Sequence, residues 1–417
     1  MDKSRITAVK IIEKFLVKKS WISPLIKSIS SSLDLDIEFV SELCYGTLKR
    51  MLYIEHVVNA LLHKNNFQYF LPLEKSIFLV SFYELLFLNK PPYATVYTYV
   101  EIAHNLVNKR FAKLLNALLR RASRGLDVNF PEFVTYSIPE PLYFYLKKNL
   151  DQRIFKDFLQ HSLTTHPTYI RFFKNSNYPY DYQEIQNVLF PETFRILNFK
   201  KFNSSCPPNR FAFQDLSSQI AQHLIPYVPR GTYIDLTAAP CNKSSFLAES
   251  FQDVIVLAND VNLRKLLRFK NETALGLKNL FLINSDATTL AFKNDTFDVV
   301  IIDAPCSGLG TIRRKPEIKY RISPEKIKEL ASIQRKILEN GATLVKRGGF
   351  LIYMTCTVTP DENENQIKEF LERHKDFIII SNHFEFEFSY MLSDFGIYID
   401  GSKNDCDYFF VSIIKRR

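Results

Sequence analysis

The chain has 417 residues, 46% of them hydrophobic and 24% charged, with 11 glycines and no low-complexity tract, which suits two or three packed units. A small single module, a fibrous repeat and wholesale disorder are excluded. Lys and Arg outnumber Asp and Glu by 54 to 44, a net charge of +10, and a field of that sign attracts polyanions such as nucleic acid.

The first residues place Ile6, Val9, Ile12 and Leu16 on one helical face with charges between them, which reads as an amphipathic helix rather than an export signal. From Ile6 to about Arg124 the pattern stays helical, with stripes such as Ile54, Val57, Val58 and Leu61, then Leu114, Leu115, Leu118 and Leu119. Pro91-Pro92 forces a break. An all-α bundle over 1–128 is expected, and Lys49-Arg50, Lys109-Arg110, Arg120-Arg121 and Arg124 are either a solvated face or an RNA-contacting one. The longest nearly apolar run, Phe78 to Leu88, covers 11 residues and contains Glu84, short of the ~20 that a membrane helix needs, so no membrane partner is expected.

Residues 129–210 read as a small α+β connecting segment punctuated by Pro and Asn. From 211 to 417 the period changes: apolar runs recur at TYIDL, VIVLA, LFLI, FDVVII and FLIYM, separated by helical or loop stretches. One helical face, from Ile327 to Val345, is expected to end at Gly348-Gly349. Alternating strand and helix predicts an α/β domain with a parallel-rich, doubly wound sheet and its ligand site at the carboxyl ends of the strands.

Those ends carry the polar chemistry. TYIDL runs into TAAPCNKSS, a loop of small residues that opens a helix and contains no glycine, so it is neither a dinucleotide fingerprint nor a Walker loop. Asp260 follows 25 positions after Asp235, where such folds place a carboxylate for ribose hydroxyls, and Asp286 and Asp303 end two further strands. Asp303 is followed by Cys306 and by the cationic run Arg313-Arg314-Lys315, which reads as a phosphate-attracting patch. Cys356 lies at the equivalent end of its own strand. Two thiols at neighbouring strand mouths point to nucleophilic chemistry, since an electropositive pocket makes thiolate available near neutral pH. All six cysteines are dispersed, without CxxC or zinc-type spacing, so free thiols in a reducing cytoplasm and no bound metal are expected.

DAPCSGLGTIRRKPEIKY, the TCT at 355–357 followed by PDENENQI, FQDLSSQ at 213–219 and AAP-x-x-K at 238–243 together resemble the NOL1/NOP2/Sun family of RNA cytosine-C5 methyltransferases. YGTLKR at 45–50 and LLNALLRR at 114–121 resemble the NusB-like domain that bacterial Sun proteins carry ahead of a Rossmann-like class I methyltransferase domain. The resemblance implies S-adenosylmethionine as cofactor and ribosomal RNA, of the small subunit, as substrate, with the enzyme acting as a monomer. It assigns Cys356 as the thiol that adds to carbon 6 of cytosine and Cys306 as the thiol that helps break the resulting adduct. Asp303 is assigned to the base edge and the cofactor's methyl end, and Lys243 joins the catalytic set. Thr237, Ala238, Ala239, Pro240, Cys241, Asn242 and Lys243 would wrap the methionine part of the cofactor, Asp260 its ribose and Asp286 its adenine. The target base would be flipped out of its stack.

Two positions depart from the family pattern: Cys241-Asn242 replaces a Gly-Gly pair, and Tyr320 stands where Trp is common. Side chains at 241 and 242 are expected to intrude on the cofactor's carboxylate, and a non-catalytic RNA-binding assembly factor is the rival reading that follows. A DNA cytosine methyltransferase, using Cys306 as nucleophile, is disfavoured because Cys356 would then have no role.

Overall fold

The computed structural model describes residues 2–29, 34–62, 66–126, 128–174, 183–272, 276–289, 292–380 and 386–417. The chain forms two compact units: Met1–Lys147 with Lys315–Ile322, and Lys148–Arg314 with Ser323–Arg417. The expected connecting segment 129–210 therefore divides at Lys147, its first part lying with the helices and the remainder with the sheet unit.

In the first unit, helices α1 (Lys3–Lys18), α2 (Ile22–Lys27), α3 (Ile37–Leu61), α4 (Pro72–Phe87), α5 (Pro92–Leu106) and α6 (Lys109–Ala122) are followed by the short α7 (Glu132–Thr135) and by α8 (Glu140–Asn149). Asp2, Asp36 and Asn108 cap α1, α3 and α6, each side chain accepting from a backbone N–H of the first turn. Pro92 opens α5 at a position whose missing N–H costs nothing. The predicted stripes meet in one core: Val9, Ile12, Ile54, Val57, Leu115 and Leu119 are fully buried. Glu84, which interrupts the apolar run, is buried as well. It accepts from Arg5 Nε (2.9 Å), Tyr99 Oη (3.0 Å) and Thr95 Oγ1 (3.2 Å), so the charge is paired and hydrogen-bonded as a buried carboxylate must be. No described helix is long and apolar enough to cross a membrane.

Lys315–Ile322 folds with these helices. Tyr320 Oη donates to Leu48 O (2.9 Å), and Lys319 Nζ donates to Lys49 O (2.8 Å). Burial pushes the Lys319 ammonium well below its ordinary pKa.

The second unit starts with α9 (Gln152–Ser162) and a small antiparallel sheet of β1 (Thr168–Phe172), β2 (Ile185–Val188), β3 (Phe190–Ile196) and β4 (Phe211–Phe213), in the order β2-β3-β1-β4, with α10 (Phe199–Ser205) before β4. After α11 (Leu216–His223) come β5 (Thr232–Asp235), α12 (Asn242–Ser250), β6 (Ile255–Asn259), α13 (Leu263–Glu272), β7 (Leu280–Ile283) and β8 (Phe297–Asp303). The chain continues with α14 (Pro324–Leu344), β9 (Val345–Thr355), α15 (Glu364–Arg373), β10 (Phe377–Ile379), β11 (Tyr390–Ser393), β12 (Gly396–Ile399) and β13 (Phe409–Arg416). The large sheet has the order β11-β12-β13-β9-β8-β5-β6-β7, with β10 on β13. Strands β7-β6-β5-β8-β9 are parallel.

The chain winds outward from β5 to β7 and then returns to β8 beside β5. That reversal is a topological switch point, and it opens a crevice at the carboxyl ends of β5 and β8. Alternation along the strands sends Tyr233, Val299, Ile301, Ile352 and Met354 to one face, and Ile234, Val300, Ile302, Leu351 and Tyr353 to the other. Both faces are buried, as a doubly wound sheet requires. One boundary differs from expectation: α14 stops at Leu344, and Gly348-Gly349 lie inside β9. The register with β8 shifts at Phe297/Val299, and Gly348 takes a φ of +81° there, so a bulge absorbs the two glycines that read as a helix stop.

Candidate active site

β8 and β9 run parallel with Asp303 opposite Met354, and Ala304 N donates to Met354 O at 2.8 Å. The loops that leave them therefore start side by side. Cys306 Sγ lies 3.4 Å from Cys356 Sγ, both side chains half-buried. A disulfide needs about 2.05 Å, so these are two thiols in hydrogen-bond contact. The bond to Cys356 raises the Cys306 pKa well above the ordinary range, with burial and the charges of Cys356 and Glu362 adding to it. Cys306 thus holds its proton. Close approach needs Gly310 nearby: its N–H donates to Cys356 O at 3.0 Å, and a Cβ there would stand 2.3 Å from Tyr408 O.

Behind the thiols sits Glu362, fully buried. Its Oε1 accepts from Ser307 N (2.7 Å) and Gln334 Nε2 (3.0 Å), and its Oε2 accepts from Ser307 Oγ (2.5 Å), Thr359 Oγ1 (2.7 Å) and Thr357 Oγ1 (3.3 Å). One carboxylate therefore holds the residue after Cys306 and the residue after Cys356. Asn363 supports the second loop by donating to Thr357 O (3.1 Å) and accepting from Thr355 Oγ1 (2.5 Å).

On the β5 side, Lys243 Nζ donates to Asp303 Oδ2 at 2.6 Å with the ammonium almost wholly buried. Thr237 Oγ1 donates to Asp303 O (2.9 Å). Asp235 is buried beneath them and accepts from Ser244 Oγ (2.7 Å) and Thr237 N (3.2 Å). Burial pushes its carboxyl up to about 7, against the pull of those bonds.

The loop from Thr237 to Asn242 is gripped by the next strand end. Ala239 N donates to Asp260 Oδ2 (3.0 Å) and Asn262 N to Asp260 Oδ1 (2.8 Å), leaving each oxygen a further lone pair for a hydroxyl. Asp286 accepts Thr288 N and Thr288 Oγ1 on Oδ1, both at 2.8 Å. Those two bonds hold its carboxyl below the ordinary range, so it is a charged acceptor near the surface. Such a set of acceptors fits a cofactor carrying ribose hydroxyls and an adenine amino group.

The expected intrusion at 241 is overturned in part. Cys241 does adopt a left-handed φ of 68°, but its side chain is fully buried and packs with Ala238, Ala258 and Leu266. Burial pushes this thiol up to about 12. Asn242 Nδ2 instead reaches Phe213 O at 3.3 Å. The thiol is absorbed into the core under β6 and α13, where a small apolar group is welcome.

The cationic run is also corrected. Arg313 is buried and bonds Thr165 O, Asp405 and His161, so it ties the chain together instead of attracting phosphate. Arg314 donates to Asp407 Oδ2 (2.6 Å). Although Arg314 is partly desolvated, the charges of Asp407, Asp215 and Cys356 hold this guanidinium protonated. His166 Nε2 lies 2.9 Å from Asp215 Oδ2 and 3.5 Å from Asp407 Oδ1, and against its burial the bonds and charges of these carboxylates raise the imidazole pKa. In the helical unit, Arg120 and Arg121 are exposed, whereas Lys49 and Arg50 are half-buried and Arg50 lies over the Phe87 ring.

Residues 223–415 match the sequence profile of the family described as 16S rRNA methyltransferase RsmB/F, and residues 2–124 match the NusB family. Over these spans the chain is similar to the RsmB/F methyltransferases and to the NusB proteins. Among curated relatives, "Ribosomal RNA small subunit methyltransferase B" of Erwinia tasmaniensis is 28% identical over 407 residues, spanning 91% of this chain and 92% of that protein. The protein of the same name from Vibrio cholerae is 28% identical, with 82% of each covered. Two solved structures share the fold. PH0851 has a TM-score of 0.82 at 21% identity and covers 100% of this chain and 99% of its own. NSun6 from Pyrococcus horikoshii with SFG has a TM-score of 0.57 at 16% identity, covering 67% of this chain and 98% of its own.

The thiols, Asp303 and Lys243 were legible in sequence, but Glu362 was not singled out. Its only signal was its place in PDENENQI, two residues after TCT.

Proposed function

We propose that this chain transfers a methyl group from S-adenosylmethionine to carbon 5 of a cytosine in small-subunit ribosomal RNA, through a covalent bond between Cys356 and carbon 6. The observation that carries the reading is the pair of thiols 3.4 Å apart at adjacent strand ends, beside the Lys243–Asp303 ion pair. Carbon 5 of cytosine is too weak a nucleophile to take a methyl group unaided. Addition of the Cys356 thiolate to carbon 6 forms a C–S bond and moves the 5,6 π pair toward carbon 5. Asp303, fixed through Oδ2 by Lys243, has Oδ1 available for the base edge near ring nitrogen 3.

S-adenosylmethionine, when bound, supplies an electrophilic methyl; Asp260 would hold its ribose, Asp286 its adenine, and the Thr237–Lys243 loop its methionine part. After methylation carbon 5 loses its proton to solvent, the electron pair re-forms the 5,6 double bond, and the C–S bond breaks toward sulfur. Cys306, which keeps its proton, is suited to donate a hydrogen bond to the departing Cys356 thiolate. Losing that donor should stall release rather than addition.

A non-catalytic assembly role drew only on Cys241-Asn242, and a Cys241 buried away in the core lends it no support. The test is a denaturing gel with labelled small-subunit RNA and cofactor. Cys306→Ala should accumulate RNA-bound protein, and Cys356→Ala should give neither adduct nor methylation. An adduct on Cys356→Ala, with none on Cys306→Ala, would exchange the two roles.

A further inference from the structure

α5 carries Tyr93 and Tyr97 one turn apart, hence on one face, and their rings are 79% and 73% exposed. The end of α6 and the turn beyond it present Arg120 and Arg124 at the same spacing, both exposed. Between the two pairs lies a groove of about 590 Å³, floored by Val96 and Val100. That volume is within the ~300–1,000 Å³ of ligand-binding clefts. Arg120 Nε donates to Asn116 Oδ1 at 3.0 Å, which aims the guanidinium and leaves its terminal nitrogens and the Asn116 amide for an occupant.

None of the described residues that line the groove is acidic. Across residues 92–127 the chain carries Lys109, Arg110, Lys113, Arg120, Arg121 and Arg124 against two acids, Glu101 and Asp127. Exposed aromatic rings beside guanidinium groups match the two faces of an unpaired nucleotide, a flat π surface and an anionic phosphate. An acidic peptide would satisfy the arginines but would give no partner of matching shape to two parallel-spaced rings.

We propose that this groove is a subsite for unpaired ribonucleotides, with Tyr93 and Tyr97 stacking bases and Arg120 and Arg124 neutralising the flanking phosphates. The proposal rests on the reading that the substrate is RNA, and it places an RNA contact of a second kind in the helical unit: stacking, in addition to charge.

The test uses the full chain and a fluorescent single-stranded oligouridylate of about 12 nucleotides, within the length range of known single-strand sites. Tyr93→Leu/Tyr97→Leu should weaken binding by about 10-fold or more, the usual size of a lost stacking contact, while Tyr93→Phe/Tyr97→Phe binds as the parent does. Arg120→Gln/Arg124→Gln should flatten the slope of log affinity against log salt by about 1.4, roughly 0.7 per lost phosphate contact. Unchanged affinity in the Leu variant would overturn the proposal. So would unchanged RNA affinity accompanied by lost binding of polyglutamate, which would assign the groove to an acidic protein partner. Adduct trapping with Cys306→Ala reads the chemistry separately: groove-dependent oligouridylate binding without any adduct would sink the methyl-transfer reading and leave this subsite standing.

Discussion

Glu362→Gln removes a charge and keeps the shape. In the parent protein the carboxylate accepts from two fixed donors, Ser307 N and Gln334 Nε2, on Oε1, and from three hydroxyls on Oε2. In the variant, the amide oxygen can retain the fixed donors, and the hydroxyls of Ser307, Thr357 and Thr359 must turn to accept from the new NH₂. Hydrogen bonds to charged groups contribute about 1.5–3 kcal/mol and neutral ones about 0.5–1.5, so re-pairing this set should cost on the order of 2–4 kcal/mol. For a unit of this size that corresponds to a Tm lower by roughly 5–10 °C. The functional loss should exceed the stability loss, because both thiol loops hang on this group and reacting atoms must be held within a few tenths of an ångström. Calorimetry gives the Tm, and Cys306→Ala with and without Glu362→Gln gives the rate of adduct formation at a temperature where both fold. A variant with parental Tm and parental adduct rate would refute the claim that Glu362 organises the site.

Restoring glycine with Cys241→Gly/Asn242→Gly should leave S-adenosylmethionine affinity within about threefold, because the Cys241 side chain packs in the core; stability should change little, since removing the buried thiol costs about 1.5 kcal/mol and relieving the left-handed φ returns about 1. Titration calorimetry decides this, and a gain of about tenfold or more would show that the side chains do obstruct the cofactor. Asp235 gives a pH signature. Its carboxyl sits near 7 in the folded protein against 3.8 ordinarily, so across that window the native state keeps a proton that the unfolded chain has lost. Stability from this group is fully present below about pH 4 and falls away as pH rises through 7. The Tm of Asp235→Asn should therefore gain on the parent between about pH 5 and 8; a constant difference would contradict the assigned burial.

Most of the catalytic unit could be read from the chain because its strands are short apolar runs buried on both faces, a pattern that survives any detail of packing. Strand-end residues such as Asp303, Cys306 and Cys356 followed from it directly. What misled was chemistry whose sign depends on burial. Arg313 and Arg314 look alike in sequence, yet one is enclosed by Thr165, His161 and Asp405 and the other is half-exposed on Asp407. Cys241 looked like an obstruction because the family it resembles carries glycine there, and only the packing of Ala258 and Leu266 shows where a thiol can go. Glu362 escaped notice because exposed and buried glutamates have the same letter, and its five donors come from three separate segments.

The placement of Lys315–Ile322 bears on how such a protein could have been assembled. A helical RNA-binding module fused ahead of a methyltransferase would be exchangeable at one junction, by a single recombination between genes. Here the chain leaves the sheet unit after Arg314, contributes Lys319 and Tyr320 to the helical unit, and returns at Ser323. A truncation that begins in the linker would strip this excursion of its packing and leave an ammonium and a phenol, both buried in the intact chain, facing solvent on the loop that also carries Cys306. Swapping the amino-terminal helices for an unrelated domain would do the same. Any replacement of α3 should therefore require compensating changes in 315–322, far along the sequence from the apparent junction.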